Sequence, residues 1–238
     1  MTSSHCVLLA GGLGTRLAEI TGGLIPKALV EVGGIPFLHF KLLSLIKMGF
    51  TSADILVGQH GDQIEKFVAK VSYPNISIRC FIDGPILLGT AGAIASIFDK
   101  LPKTFWITYA DSYVFADIGQ ANKEFSNEED SIMVVLRNQD RVEASNVSID
   151  EVSDNVIEYE KNPPRGKHEW IDYGILRLNK AAFSSIAKDK PVDLREVVLN
   201  QITANRMRAF QTNELFWDIG TPSRLEETTQ EFKRRGWL

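Results

Sequence analysis

The chain predicts an α/β fold: a doubly wound, mostly parallel sheet, with a small β-rich lobe inserted in it or added to it. Three observations carry this. Short apolar runs alternate with helical periodicities through residues 1–137, the signature of repeated β-α-β units. The first run, Cys6–Ala10, is apolar without alternation, as a parallel strand buried on both faces requires. That run then enters a glycine-rich turn, at the strand end where ligands of such sheets gather.

The elements follow in order. Pro36 opens a helix reaching Met48, since proline suits a first helical position. Phe37, Leu38, Phe40, Leu42, Leu43, Leu45 and Ile46 make it apolar nearly all round, so it should lie between layers or help build a homodimer, and Gly49 ends it. Ile55–Val57 is a strand. Ile64, Phe67, Val68 and Val71 mark an amphipathic helix, and Ile76–Ile82 is the next strand. A helix over Gly89–Leu101, a strand over Thr104–Tyr109, a helix over Asp117–Glu124 and a strand over Ile132–Arg137 complete the alternation.

Beyond residue 137 the pattern changes. Asn146–Ile149 and Val156–Glu160 read as a hairpin around Asp154-Asn155, and Trp170–Leu178 as a longer strand ended by Asn179. Two short helices (Lys180–Ala187, Asp193–Thr203) and two short strands (Met207–Gln211, Leu215–Trp217) follow. Thr221-Pro222 supplies an N-cap and a first position for a last helix to Arg234. With no repeat or linker in view, residues 1–238 read as one domain. Within it, residues 1–137 are expected to bind nucleotide. Residues 138–238 are expected to bind the second substrate and to carry the last helix.

Composition narrows the function. Of 238 residues, 44% are apolar and 24% charged, with a net charge of −4, ordinary for a globular enzyme. No Lys/Arg-rich run exists, which argues against nucleic acid or an anionic membrane as partner. The two cysteines, Cys6 and Cys80, form neither a disulfide framework nor a metal pair, and both lie in strand-like runs as expected of buried thiols. The apolar N-terminal run is too short for a signal peptide or a membrane span, so a reducing cytoplasm is the expectation.

The chemistry concentrates in Leu8-Leu9-Ala10-Gly11-Gly12-Leu13-Gly14-Thr15-Arg16-Leu17 and Pro26-Lys27-Ala28-Leu29. Glycines let main-chain amides approach an anion, the guanidinium of Arg16 grips phosphate oxygens, and Lys27 adds a mobile charge. The spacing is not G-x-x-x-x-G-K-[ST], which excludes a P-loop. It is not G-x-G-x-x-G with an acidic residue about twenty positions on, which argues against a dinucleotide fold. Asp111 follows the strand Thr104–Tyr109, and Asp218 ends a short strand before a helix. Each alone is commonly a turn former; as a pair beside a phosphate loop they suit Mg²⁺. Glu160-Lys161, stiffened by Asn162-Pro163-Pro164, offers an acceptor for hydroxyls and a cation for a second phosphate. No G-x-S-x-G elbow, Cys-His pairing or H-E-x-x-H motif is present, and His5, His39, His60 and His168 are scattered, as structural or surface histidines are.

Together these pieces resemble the sugar-1-phosphate nucleotidyltransferases, or nucleotide-sugar pyrophosphorylases. The resemblance rests on Gly11–Leu17, Pro26-Lys27, Leu88-Gly89-Thr90-Ala91-Gly92-Ala93, Ala110-Asp111-Ser112, Glu160-Lys161, Asp172-Tyr173-Gly174 and Asp218-Ile219-Gly220-Thr221-Pro222, in the family's order and across almost the whole chain. It is strongest to short members acting on heptose 1-phosphate, N-acetylmuramate 1-phosphate or phosphocholine. The resemblance implies a GT-A-like, Rossmann-like nucleotidyltransferase fold. It also implies Mg²⁺-dependent transfer of a nucleoside monophosphate from an NTP to a sugar 1-phosphate, releasing pyrophosphate. Arg16 and Lys27 would be catalytic. Leu9, Ala10, Gly11, Gly12, Gly14, Thr15, Asp83, Gly84, Gly89 and Thr90 would bind nucleotide. Asn146, Glu160, Lys161, Tyr173 and Gly174 would bind the acceptor, and Asp111 and Asp218 the metal.

Two departures stand out: Ala110 replaces the family's usual glycine, and no left-handed β-helix follows, so no acyltransfer or acetyltransfer activity is expected. Such transfer needs alignment and charge neutralisation more than covalent help, which fits the missing nucleophile and base. Two other readings stay open. One is a cytidylyltransferase for phosphocholine, with Trp170, Tyr173 and Trp217 as cage aromatics that core packing explains as well. The other is a non-catalytic nucleotide-sugar sensor, disfavoured because Arg16, Lys27, Asp111, Lys161 and Asp218 are all retained.

Overall fold

The computed structural model describes residues 4–12, 15–17, 21–58, 60–84, 87–187 and 190–238, with the backbone alone at Thr15. The chain forms two compact units. A flanking unit comprises His5–Leu87, Thr108–Phe115 and Phe216–Leu238. A central unit comprises Leu88–Ile107 and Ala116–Leu215, with residue 4.

In the flanking unit β1 (His5–Ala10) is fully buried but for its last residue and pairs in parallel with β4 (Ser52–Val57), which pairs in parallel with β5 (Ser77–Ile82). Registers Ala10↔Val57 and Val57↔Ile82 bring the three carboxyl ends level. Between β1 and β4 lie a 3-10 turn at Thr15–Leu17, another at Lys27–Leu29, and a two-residue hairpin, β2 (Glu31–Val32) with β3 (Ile35–Pro36), too short to leave a period in the sequence. Gly33 and Gly34 turn that hairpin at φ +61° and +85°, a region only glycine enters freely.

Helix α1 (Phe37–Lys47) follows, with Pro36 as its N-cap rather than its first helical residue. Its faces differ from the expectation: Leu43 is 45% exposed while Lys41 is wholly buried. Gly49, at φ +90°, ends the turn. Helix α2 (Gly61–Lys70) matches its predicted stripe. A short antiparallel pair, β7 (Ser112–Tyr113) with β13 (Trp217–Asp218), leads into α6 (Pro222–Arg234), capped by Thr221 through Arg224 N–H.

A core cluster of Leu17, Val30, Val32, Phe37, Phe40, Tyr113, Ile219 and Phe232 underlies these pieces. Cys6 is buried and its thiol is pushed up to about 12 by loss of water, whereas Cys80 is only half-buried, contrary to expectation, because β5 is partly open to solvent.

In the central unit α3 (Gly89–Ser96) is shorter than predicted, a 3-10 turn at Phe98–Lys100 replacing its end. Strand β6 (Thr104–Tyr109) is shared between the units, and α4 (Ile118–Glu124) is capped by Asp117. The strands β8 (Ser131–Arg137), β9 (Val147–Asp150), β10 (Asn155–Tyr159), β11 (Trp170–Asn179) and β12 (Met207–Thr212) form a mixed array in the order β11-β8-β12-β10-β9. Within this array β12 pairs with β8 in parallel, whereas β11–β8, β10–β12 and β10–β9 are antiparallel. The parallel rule thus gives way here, because the short turn at 151–154 can join β9 and β10 only as a hairpin. Helix α5 (Leu194–Thr203) has Asp193 as its cap, and the segment predicted helical at 180–187 is a 3-10 turn over Lys180–Phe183.

Candidate functional site

One unit holds the glycine-loop residues expected to bind phosphate. Leu9 is buried and its carbonyl accepts from Ala110 N–H at 2.9 Å, so the strand end of the glycine loop is tied to the residue before Asp111. Ala10 and Gly11 are half-buried and Gly12 is exposed. A Cβ at Gly11 would lie 3.5 Å from Gly58 N, and one at Gly58 would lie 3.0 Å from Gly11 O; nothing crowds Gly12. The close backbone approach is therefore Gly11 to Gly58. Gly14 and the Thr15 side chain lie outside the described residues. Asp83 N–H donates to Val57 O at 2.8 Å just past β5, and Gly84 is open on the side where a side chain would stand. Arg16 is exposed, while the next residue, Leu17, anchors the turn in the core.

Lys27 leaves its 3-10 turn and donates to Asp111 Oδ2 at 2.5 Å, the lysine 14% and the aspartate 36% exposed. Asp111 and Asp218 are brought together by β7 and β13: Asp218 is in register with Ser112, and Ile219 N–H donates to Asp111 O at 3.1 Å. Asp218 Oδ1 accepts from Gly220 N–H at 2.7 Å, and its Oδ2 accepts from Arg224 Nε and a terminal Arg224 nitrogen at 2.9 and 2.6 Å. A Cβ at Gly220 would lie 2.9 Å from Asp218 Oδ1 and 3.7 Å from Lys27 Nζ, so both side chains border the Gly220 backbone. Two aspartates thus face two cations, Lys27 and Arg224. Arg224, in the first turn of α6, was missed from the sequence, where nothing sets it apart from an ordinary helix arginine.

The residues that carry this cluster share one foundation. Leu17 follows Arg16, Val30 follows Lys27 by three, Tyr113 follows Asp111 by two and Ile219 follows Asp218, and all four are in the same core cluster.

The central unit holds the residues expected to bind the acceptor. Asn146 links them: its carbonyl accepts from Glu160 N–H at 3.0 Å, and its Oδ1 accepts from Asp172 N–H at 2.9 Å. Gly174, at φ +81°, sits where the β11 register shifts, and its N–H donates to Asp172 Oδ1 at 2.9 Å. Loss of water pushes the Asp172 carboxyl above the usual range, against the pull of Gly174 N–H and the Tyr159 hydroxyl. Glu160 pairs with Lys167, whose ammonium holds its carboxyl below the usual range. Lys161 is exposed and lies 3.7 Å from Asp193.

Several expected roles meet other duties. Thr90 Oγ1 accepts from Leu194 N–H at 2.7 Å, and a Cβ at Gly89 would lie 2.6 Å from Val192 O, so this stretch packs against the start of α5. Tyr173 is 1% exposed. Trp170 is also buried, and Trp217 packs on the aromatic core, so the aromatics considered for a choline cage are packing residues.

The geometry defines an α/β protein with a loop, a lysine and paired carboxylates suited to phosphate chemistry. A nucleotidyl transferase family model matches residues 5–235, and the chain belongs to this family of sugar-1-phosphate nucleotidyltransferases. It is a nucleotidyltransferase with the GT-A-like fold of that class. The D-glycero-α-D-manno-heptose 1-phosphate guanylyltransferase of Campylobacter jejuni is 27% identical over 92% of this chain and 95% of its own length. That of Aneurinibacillus thermoaerophilus is 25% identical over 96% and 98%. The crystal structure of HddC from Yersinia pseudotuberculosis complexed with GMP-PN superposes with a TM-score of 0.82, at 26% identity over 96% of this chain and 99% of that one.

Proposed function

We propose that the protein joins an NTP to a sugar 1-phosphate, giving an NDP-sugar and pyrophosphate, with Mg²⁺ held by Asp111 and Asp218. The observation that carries this reading is the pairing of Lys27 with Asp111, which the β7–β13 pair sets beside Asp218. An oxygen of the acceptor phosphate attacks the α-phosphorus in line, the bond to the bridging oxygen breaks, and pyrophosphate leaves with that electron pair. The acceptor phosphate is largely ionised at pH 7, so no base is needed. Arg16 receives the leaving phosphates, and Lys27 lies between the reacting phosphate and the carboxylates. Glu160 and Lys161 are assigned to the sugar and its phosphate, and the amides of Asp83 and Gly84 to the base.

The donor set fits Mg²⁺, which favours hard oxygens and takes one or two carboxylates alongside phosphates. Two aspartates balanced by Lys27 and Arg224 leave the charge of an incoming triphosphate uncompensated. The ion would supply that compensation.

For the particular substrates, GTP and a heptose 1-phosphate are the reading favoured by the names of the Campylobacter and Aneurinibacillus relatives and the GMP-PN complex of HddC. A grid of four NTPs against heptose, hexose and N-acetylmuramate 1-phosphates and choline phosphate, read by pyrophosphate release, tests it. The expected maximum is GTP with heptose 1-phosphate, lost on chelation and restored by Mg²⁺. Pyrophosphate release with no pair overturns the reaction; a maximum at CTP with choline phosphate overturns the acceptor.

A further inference from the structure

In the central unit, three groups converge where β10 leaves its hairpin: one ligand atom each from Glu158, Glu160 and His168, all within 4.8 Å of one another. Glu158 and Glu160 are two positions apart on an extended segment and so share a face. Ser148, on β9, is in register with Glu158.

The decisive feature is the burial of His168. Its side chain is wholly buried. Nδ1 lies 2.8 Å from Ser148 Oγ, and that hydroxyl donates to Glu158 Oε2 at 3.5 Å. Nε2 is buried with no hydrogen-bond partner, and it faces Glu160 Oε2 at 3.9 Å. A buried imidazole nitrogen facing a carboxylate oxygen at that distance leaves room for a cation between them, a proton or a metal ion. Lys167 is already engaged with the other oxygen, Oε1, of Glu160.

We propose that Glu158, Glu160 and His168 form a binding site for a divalent transition metal of the Zn²⁺ type. One imidazole nitrogen with two carboxylate oxygens is a donor set that Zn²⁺ accepts and that Mg²⁺, which prefers oxygen throughout, does not favour. The Ser148 hydroxyl takes the role common around metal-bound histidines, fixing the tautomer and the ring plane. The ion ties the β9–β10 hairpin to the segment that follows it and fixes the carboxylate of Glu160. The site uses neither Asp111 nor Asp218, and its case does not depend on the proposed reaction.

The test is titration of the chelator-treated full-length protein with Zn²⁺ alone, followed by calorimetry, with Co²⁺ absorption bands as a spectroscopic readout. One equivalent is expected to bind. Glu158→Gln, at an exposed position, is expected to weaken binding at least about tenfold, and Ser148→Ala about tenfold as other histidine-orienting partners do. His168→Ala should abolish it; should that variant fail to fold, the two milder variants decide. Absence of a bound equivalent, equal affinity in Glu158→Gln, or His168 ring resonances unmoved by Zn²⁺ (a proton being the cation there) would overturn the proposal. No nucleotide or sugar enters this experiment, so an inactive substrate grid leaves its outcome untouched.

Discussion

Lys27 is the residue on which the site's electrostatics turn. It sits at 2.5 Å from Asp111 and offsets the charge of that carboxylate. Removing a preorganised donor of this kind slows turnover by about a hundredfold or more. Lys27→Ala and Asp111→Asn are each expected to show such a loss in kcat, read by pyrophosphate release with folding checked by circular dichroism. Wild-type rates in either variant would remove the assigned role. This much was readable from the strand-loop-lysine order and from the placing of two aspartates at strand ends. Arg224 was not, because an arginine in the first turn of a surface helix is ordinary until the fold sets it against Asp218.

At the scale of elements, small residues and caps locate the pieces. Gly89 has φ +69° and its missing Cβ would strike Val192 O at 2.6 Å. Gly89→Ala therefore adds both backbone strain and a clash, and is expected to cost roughly 1–3 kcal/mol in urea unfolding. An unchanged midpoint would show that the segment yields. Thr221 caps α6, whose Phe232 lies among Phe37, Phe40, Tyr113 and Trp237. Phe232→Ala should destabilise by about 3–5 kcal/mol and also lower kcat, because Tyr113 and Ile219 steady the strands bearing the aspartates. Loss of stability with kcat intact would separate that core from the site. The cap and the helix were legible in Thr221-Pro222; the two-residue strands β7 and β13 were too short to show a period.

At the scale of the whole molecule, stability should depend on pH through one unusual group. Lys41 is wholly buried, its ammonium donating to Thr108 Oγ1 at 2.9 Å, and loss of water pushes it down to about 7. Below pH 7 the lysine is charged in both folded and unfolded chains and the folded state bears the full penalty. Between pH 7 and its unfolded value the unfolded chain binds the extra proton, so stability rises with pH. Above pH 9 the thiols of the buried Cys6 and the half-buried Cys80, pushed up to about 12 and about 11, act in the opposite sense. Urea unfolding is thus expected to show rising stability from pH 7 to 9. Lys41→Met should flatten that rise and stabilise the fold at pH 7 by roughly 1–4 kcal/mol. A flat wild-type profile would show that Lys41 stays charged in the fold.

The sequence by itself determined the α/β alternation, the glycine-rich turn after the first strand and the kinds of residue at the candidate site. Those are local matters of periodicity, glycine and charge within a few positions. Only the tertiary structure decided which of them meet. Asp111 and Asp218 are far apart in the chain and are joined by a two-residue pairing. Gly89 and Thr90 are brought against the start of α5, and His168 against Ser148, Glu158 and Glu160. Such outcomes depend on long-range register and burial, which no local pattern encodes.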